Sequence, residues 1–275
     1  DALPIFFSEI TRRLGADTVY TEGRDTMQWL AHLYEESREK SAKSGVAFPP
    51  FEAFWEAGIA EAGGEEREPV MLAKFRADPA ANPLKTPSGK IEIFSEKIAS
   101  FGYDDCPGHA TWIEPIEWLG GKTAERYPLH MLSDQPADKL HSQLDHSPHA
   151  KSTKVKGRQP ITMNSNDARA RGIADGDLVR VFNDRGACLA AARLSDRIRH
   201  GVVQLSTGAW FDPEDAGSNR PLEKHGNPNA LTLDIGASKL SQGCIAQTCL
   251  VEIERHDGPA PAVTAHDLPN FEKRH

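Results

Sequence analysis

The 275-residue sequence predicts a mainly helical first half, followed by a mainly β second half that closes as a small barrel. Three observations support this. Apolar residues recur near helical spacing through the first sixty residues. Beyond residue 126 the apolar runs shorten to four to eight residues and alternate with turn residues. The charge changes at the same place: residues 1–125 hold 13 Lys+Arg against 22 Asp+Glu, and the remainder 19 against 18. The boundary falls near Gly120 to Arg126, giving a first region 1–125, a barrel 126–255 and a Pro- and charge-rich tail 256–275 that wraps or frays.

In the first region, Pro4 to Leu14 sets Ile5, Phe6, Ile10 and Leu14 along one helical face. Asp25 to Glu36 repeats the pattern with Met27, Leu30, Leu33 and Tyr34, with Asp25 as cap. Phe51 to Ala62 carries Phe51, Phe54, Trp55 and Ile59 and is closed by Gly63-Gly64; these aromatic residues read most simply as core. Two prolines in Asp78-Pro79-Ala80-Ala81-Asn82-Pro83 mark a loop, and Pro87-Ser88-Gly89 a turn. Lys90-Ile91-Glu92-Ile93-Phe94 then alternates as a strand.

In the second region, strands are expected at Pro128–Leu132, Ile161–Met163, Leu178–Phe182, Ala187–Leu194, Val202–Ser206 and Cys249–Ile253. Asn183-Asp184-Arg185-Gly186 is a hairpin turn. Asn164 to Asp167 caps a short helix that Gly172 ends. Short strands with turn chemistry between them suit a closed barrel.

Composition removes several function classes. No run approaches the roughly 18 apolar residues of a membrane helix. A net charge of −8 argues against general nucleic-acid or anionic-membrane binding. Residues 126–200 are nevertheless locally basic, with 13 Lys+Arg against 8 Asp+Glu, which is compatible with nearby phosphate or with an ordinary solvated face. Cys106, Cys188, Cys244 and Cys249 form no CxxC pattern, and Cys244 and Cys249 read as buried structural thiols. His141, His146 and His149 suggest a metal site, but Pro148 interrupts a helix through them and no thiolate or acidic set has zinc spacing, so no metal ligand is assigned. No GxSxG, HExxH, Walker loop or GxGxxG occurs, and no catalytic residue is assigned.

Three polar stretches stand out: Leu132-Ser133-Asp134-Gln135-Pro136 with Leu140-His141-Ser142-Gln143, then Gly226-Asn227-Pro228-Asn229, then Ser241-Gln242-Gly243. Ser, Gln and His supply donors and acceptors suited to the edge of a base or pterin, and a glycine permits close backbone approach. Each stretch is also locally sufficient as a turn.

Together with Leu84–Ser95, Met163–Asp177 and Asn227–Asp234, these stretches resemble, in order and spacing, the C-terminal part of the molybdopterin oxidoreductases of the dimethyl-sulfoxide-reductase family. Phe101–His109 is similar to the S- and N-oxide reductase branch. Trp112-Ile113-Glu114-Pro115 with Glu117-Trp118-Leu119 is most similar to the biotin (methionine) sulfoxide reductases. The resemblance implies a six-stranded double-psi β-barrel over about Arg126 to Arg255, with residues 1–125 as the closing portion of the large molybdopterin domain. It implies bis(molybdopterin guanine dinucleotide) molybdenum in the full-length enzyme. Ser133, Gln135, His141, Ser142 and Gln143 would contact pterin and pyrophosphate, and Asn229, Gln242 and Gly243 would lie on later cofactor loops. Trp210 and Phe211 would pack beside the cofactor or in the core. The implied chemistry is reduction of a sulfoxide (biotin or methionine sulfoxide) or, alternatively, of trimethylamine N-oxide or dimethyl sulfoxide, by oxygen-atom transfer.

The family's metal-holding serine belongs to an N-terminal half with no counterpart here, and Ser133 and Ser142 lie on the pterin side. The chain, which begins at Asp1, therefore reads as part of a longer enzyme, inactive alone, whose partner is the rest of that enzyme. The electron donor is unassigned. The expected location is the cytoplasm, with the periplasm as alternative. The competing class is a non-catalytic binding module.

Overall fold

The computed structural model describes residues 2–63, 70–215 and 217–268, which fall into two compact units, residues 1–90 and 91–275. The first contains helices α1 (Ala2–Arg13), α2 (Asp17–Thr21), α3 (Thr26–Ala42), α4 (Phe51–Ala57) and α5 (Ala73–Ala77). Asp25 caps α3 as expected. Its carboxylate accepts from Gln28 N at 2.8 Å, and the Gln28 side chain accepts from Asp25 N at 2.9 Å, a reciprocal capping box. The helix expected to reach Ala62 stops at Ala57, because Gly58 takes a left-handed conformation (φ 73°) and its N–H closes onto Phe54 O. Gly64, half of the expected stop signal, lies outside the described residues.

The aromatic residues of this unit are not core. Tyr34 stacks on Phe54 with ring centroids 4.5 Å apart, and Phe51 sits beside Trp55, yet no described side chain between residues 5 and 90 is buried, and Ile5 is 69% exposed. Helical spacing predicts an apolar face but not a neighbour to cover it.

The second unit adds helices α6 (Glu96–Ala99), α7 (Pro148–Thr153) and α8 (Ser165–Ala170) to strands β1 (Leu129–Leu132), β2 (Pro160–Met163), β3 (Leu178–Phe182), β4 (Ala187–Leu194), β5 (Val202–Leu205), β6 (Leu222–Glu223) and β7 (Thr248–Arg255). All six expected strands form. The order β2-β5-β1-β7-β3-β4 closes on itself because β4 also pairs with β2, so six strands make a barrel, while two-residue β6 runs parallel to β4. Two pairs are parallel, β1 with β5 (His130 opposite Val202) and β2 with β4 (Ile161 opposite Ala192), and the others within the ring antiparallel. A six-stranded ring visited out of sequence order is the architecture expected of the double-psi β-barrel.

Alternation fills the interior. Leu129 and Met131, Ile161 and Met163, Val179 and Val181, Val203 and Leu205, and Val251 and Ile253 point inward and are buried. From β4, Cys188, Ala190 and Ala192 supply small side chains where the facing strands supply large ones. Cys249 joins this core, but Cys244 is exposed, contrary to expectation; it lies in a loop bridged to Gly236 rather than on a strand.

Residues 90–94 form bends rather than the expected strand, and Ile91, Ile93 and Phe94 are exposed. Alternation becomes a strand only where a neighbour completes the hydrogen-bond ladder, and no described segment pairs with this one. The tail wraps as far as it is described. Arg158 Nη2 donates to Pro261 O at 2.5 Å, and Thr264 bonds Asp212 through both its N–H and its hydroxyl. Residues 269–275 lie outside the described set. No helix among the described residues is long and apolar enough to cross a membrane.

Candidate functional site

The chain leaving β1 turns outward at Ser133, whose N–H donates to Gln247 O at 2.8 Å. Asp134 then faces the outer side of β5: Gln204 Nε2 and Ser206 Oγ each donate to its carboxylate at 2.8 Å. Thr162, opposite Gln204 in the ladder, points to the same outer face. With Gln135, Asp138, Thr153, Gln159 and Arg193 these residues line a cavity of about 360 Å³ on the outside of the barrel. Its floor is braced from below. Thr153 Oγ1 donates to Asp138 at 2.6 Å, and Lys139 Nζ donates to Gln159 Oε1 at 2.8 Å. Carboxylates, amides, hydroxyls and one guanidinium converge there. Such a lining offers acceptors to the N–H edge of an aminopyrimidinone ring and a cation to a phosphate.

Of the residues singled out from sequence, Gln135 lines this cavity, and its amide lies 3.1 Å from His141 Nδ1, so the two share one site. Ser133 precedes it on the same loop. His141, Ser142 and Gln143 are exposed on the loop that follows. That loop is tightly built: His141 and Leu144 take left-handed backbone (φ 52° and 65°), and Trp210 Nε1 donates to Ser142 O at 2.8 Å.

Asn229 lies elsewhere, in a cavity of about 240 Å³ with Arg185, Phe211 and Arg220. Its N–H donates to the Asn227 side chain, an Asx turn that presents Asn229 outward. Gln242 and Gly243 are exposed on a third loop, where Gln242 Nε2 donates to Ser238 O and Gly243 O accepts from Ala237 N. Among the described residues no hydrogen bond joins Asn229, Gln242 or Gly243 to the Gln135 cavity. Trp210 is not core; it is partly exposed between the rings of His146 and His266.

Thr162, Gln204 and Arg193 were missed because an outward polar residue on a strand reads as a solvated face. Asp134 stood within the first polar stretch but carried no separate signal, and Asp138 fell in the gap between its two parts.

His141, His146 and His149 do not converge. His141 meets Gln135, His146 meets Trp210, and His149 is exposed. Among the described residues, the one grouping with metal-ligand composition is Asp145, His225 and His266. Asp145 already accepts from the ammonium groups of Lys139 (2.8 Å) and Lys154 (2.9 Å), so the positive charge an ion would bring is supplied by side chains. Burial raises the Asp145 carboxyl, yet these ammonium groups outweigh it and hold the group below the usual carboxylate range. His225 is pushed down to about 4, by burial first and then by facing Lys154. Its Nδ1 lies 2.9 Å from Trp210 O, while its buried Nε2 has no partner.

The loop before Asn229 is set by Glu223. This buried carboxylate accepts from four backbone N–H groups: Asp212, His225, Gly226 and Asn227. Burial raises it to about 7 although those four donors favour its charged form.

Residues 129–250 match the Molydopterin dinucleotide binding domain family. The chain is 46% identical to a dimethyl sulfoxide/trimethylamine N-oxide reductase from Cereibacter sphaeroides, covering 96% of this chain and 32% of the relative. It is 47% identical to a biotin sulfoxide reductase from the same organism, covering 95% and 34%, and 45% identical to a trimethylamine-N-oxide reductase from Salmonella typhimurium, covering 96% and 31%. The chain thus spans about a third of the length of the curated relatives it matches. Among solved structures, acetylene hydratase from Pelobacter acetylenicus superposes with a TM-score of 0.52 at 18% identity, over 65% of this chain and 25% of that one, a likeness of fold.

Proposed function

We propose that this chain, whose residues 129–250 match the Molydopterin dinucleotide binding domain family, is the cofactor-holding C-terminal part of a molybdenum oxidoreductase that reduces sulfoxides. The observation that carries the reading is the polar cavity beside β1 and its loop, inside the matched residues. The donor set suits the cofactor. Gln135, Gln159 and Gln204 offer both donors and acceptors, Asp138 offers an acceptor, and Arg193 offers a cation to a pyrophosphate. His141, Ser142 and Gln143 on the next loop, and Asn229, Gln242 and Gly243 on the later ones, are the further contacts in this reading. Residues 1–125 are then the closing portion of the larger molybdopterin domain, 126–255 the binding domain and 256–275 the tail.

When bound, bis(molybdopterin guanine dinucleotide) molybdenum supplies two-electron removal of oxygen from an S- or N-oxide. The chain's own residues bind and orient the dinucleotide. Asp134 fixes the side chains of Gln204 and Ser206, and the Lys139 ammonium fixes Gln159, so the cavity's polar atoms are set before a ligand enters. No residue of the chain is assigned a catalytic role. The rest of the same enzyme is the partner, in keeping with the open apolar faces of residues 5–59. The location in this reading is the cytoplasm.

The test uses guanosine diphosphate, which shares guanine and pyrophosphate with the cofactor. Calorimetric titration of the chain should detect saturable binding that Arg193→Ala weakens about tenfold, as loss of a charge-assisted contact does. Absence of binding would count against the site. The substrate is tested in the full-length enzyme, where kcat/KM for biotin or methionine sulfoxide should exceed that for trimethylamine N-oxide; the opposite order would favour the N-oxide reading that the Salmonella relative supports. The isolated chain should reduce neither.

A further inference from the structure

The loop carrying His141, Ser142 and Gln143 is closed at its base by an ion pair between its own ends: Lys139 Nζ to Asp145 Oδ1 at 2.8 Å, both side chains fully buried. Between these ends the backbone twice takes the left-handed region at residues other than glycine, His141 and Leu144, a conformation that persists only where surrounding contacts over-determine it. Asp145 is where those contacts meet. Its Oδ1 also accepts from Lys154, and its Oδ2 accepts from Trp210 N at 3.2 Å and lies 3.0 Å from His266 Nε2.

Only His266 comes from the tail, 121 residues away in sequence. The tail reaches it as a pinned segment. Pro261 O takes Arg158 Nη2, and Asp212 accepts from Thr264 N, Thr264 Oγ1 and Ala265 N at 2.6, 2.7 and 3.0 Å. The His266 ring also lies edge-on to Trp210, with centroids 5.2 Å apart, and Trp210 in turn holds Ser142 O. His266 therefore touches the loop's closure by two routes, through the Asp145 carboxylate and through the Trp210 ring.

From this we infer that His266 is a positioning residue, and that the C-terminal segment 261–266 is a strap holding the 139–145 loop in its strained, ligand-ready form. The function of that strap rests on the cofactor reading above; the mechanical coupling does not, and it is the coupling that is tested. With the strap released, Asp145 keeps its two ammonium partners, so the barrel survives while the loop relaxes toward ordinary backbone conformations.

The experiment is amide hydrogen exchange read by mass spectrometry on the full 275-residue chain without cofactor. His266→Ala should raise exchange of the peptide covering 139–145 about tenfold while strands β4 and β7 keep their protection, the pattern of local rather than global opening. His266→Gln, whose amide still donates to Asp145, should recover most of that protection. Thr264→Val, which removes one of three strap bonds to Asp212, should give a smaller rise at the same peptide and serves if His266→Ala fails to fold. Unchanged exchange at 139–145 in His266→Ala would overturn the proposal, as would an equal rise across the barrel or a glutamine variant no better than alanine. Stoichiometric Zn²⁺ binding by the wild-type chain, lost in His266→Ala, would also overturn it in favour of a metal site.

Discussion

Arg185 and Glu117, 68 positions apart, meet in a two-point ion pair: Nη1 to Oε1 at 2.6 Å and Nη2 to Oε2 at 3.0 Å. The same guanidinium donates to Leu231 O at 2.6 Å, and the same carboxylate accepts from Leu250 N at 2.9 Å. One pair thus joins the segment ahead of the barrel to the β3–β4 turn, to β7 and to the stretch just past Asn229.

Replacing Glu117 with Ala leaves a partly buried guanidinium without its counter-charge and Leu250 N–H without this acceptor. The expected loss is about 2–4 kcal/mol, toward the lower end for buried pairs because both side chains keep some solvent. Urea unfolding of the variant checks it, and a loss below about 0.5 kcal/mol would show the pair to behave like an ordinary surface bridge.

The acid response combines opposing groups. His225 folds with its ring held near 4 against an ordinary 6.5, so the unfolded chain binds more protons between those values and stability falls as pH drops through that window. Asp145, held low, adds a loss below the ordinary carboxylate range. Glu223, raised to about 7 from 4.5, works the other way: the folded chain binds the extra proton, so stability rises as pH falls from 7 to 4.5. The urea midpoint should therefore change little between pH 6.5 and 4.5. In Glu223→Gln it should fall steeply over the same range, whatever the variant's overall offset. A profile parallel to wild type would refute the assignment.

Gly208 is the least replaceable glycine of the site loops. It holds φ 95°, and a Cβ there would lie 1.8 Å from His141 O. Gly208→Ala must push the 139–145 loop away or distort its own turn. A destabilisation well above the about 1 kcal/mol of an ordinary glycine change is expected, together with faster exchange at 139–145. Thermal unfolding and hydrogen exchange measure both.

Two apolar truncations separate true core from exposed alternation. Leu205→Ala removes a fully buried side chain from the barrel interior and should cost about 2–5 kcal/mol. Ile93→Ala, on the segment that alternates without forming a strand, should stay within about 0.5 kcal/mol of wild type because Ile93 is 86% exposed. A large loss at Ile93 would restore the strand reading.

The barrel strands were legible because each pairs inward apolar residues with local turn chemistry, as at Asn183 to Gly186, and these signals agree. Which strand neighbours which was not, since no local residue encodes that Met131 lies opposite both Val203 and Cys249. Of the site, Gln135 was legible from its place just past a strand. Thr162 and Gln204 were not, because their outward polarity says nothing until the Asp134 loop folds over them. His266 carried no signal in a proline-rich tail; its meaning comes from Asp145 and Trp210, which distant segments bring against it.

The interleaved strand order also governs how the chain is made. Strand β1 lies between β5 and β7, so the first barrel segment to leave the ribosome has neither neighbour until about seventy more residues have followed, and is not enclosed until the last strand arrives. Any product ending before Thr248 leaves β1 and β3 with open edges, which invite pairing with other chains. Completion of β7 is therefore the step that removes both open edges at once, and the barrel's ladder is whole only when its last strand has been made.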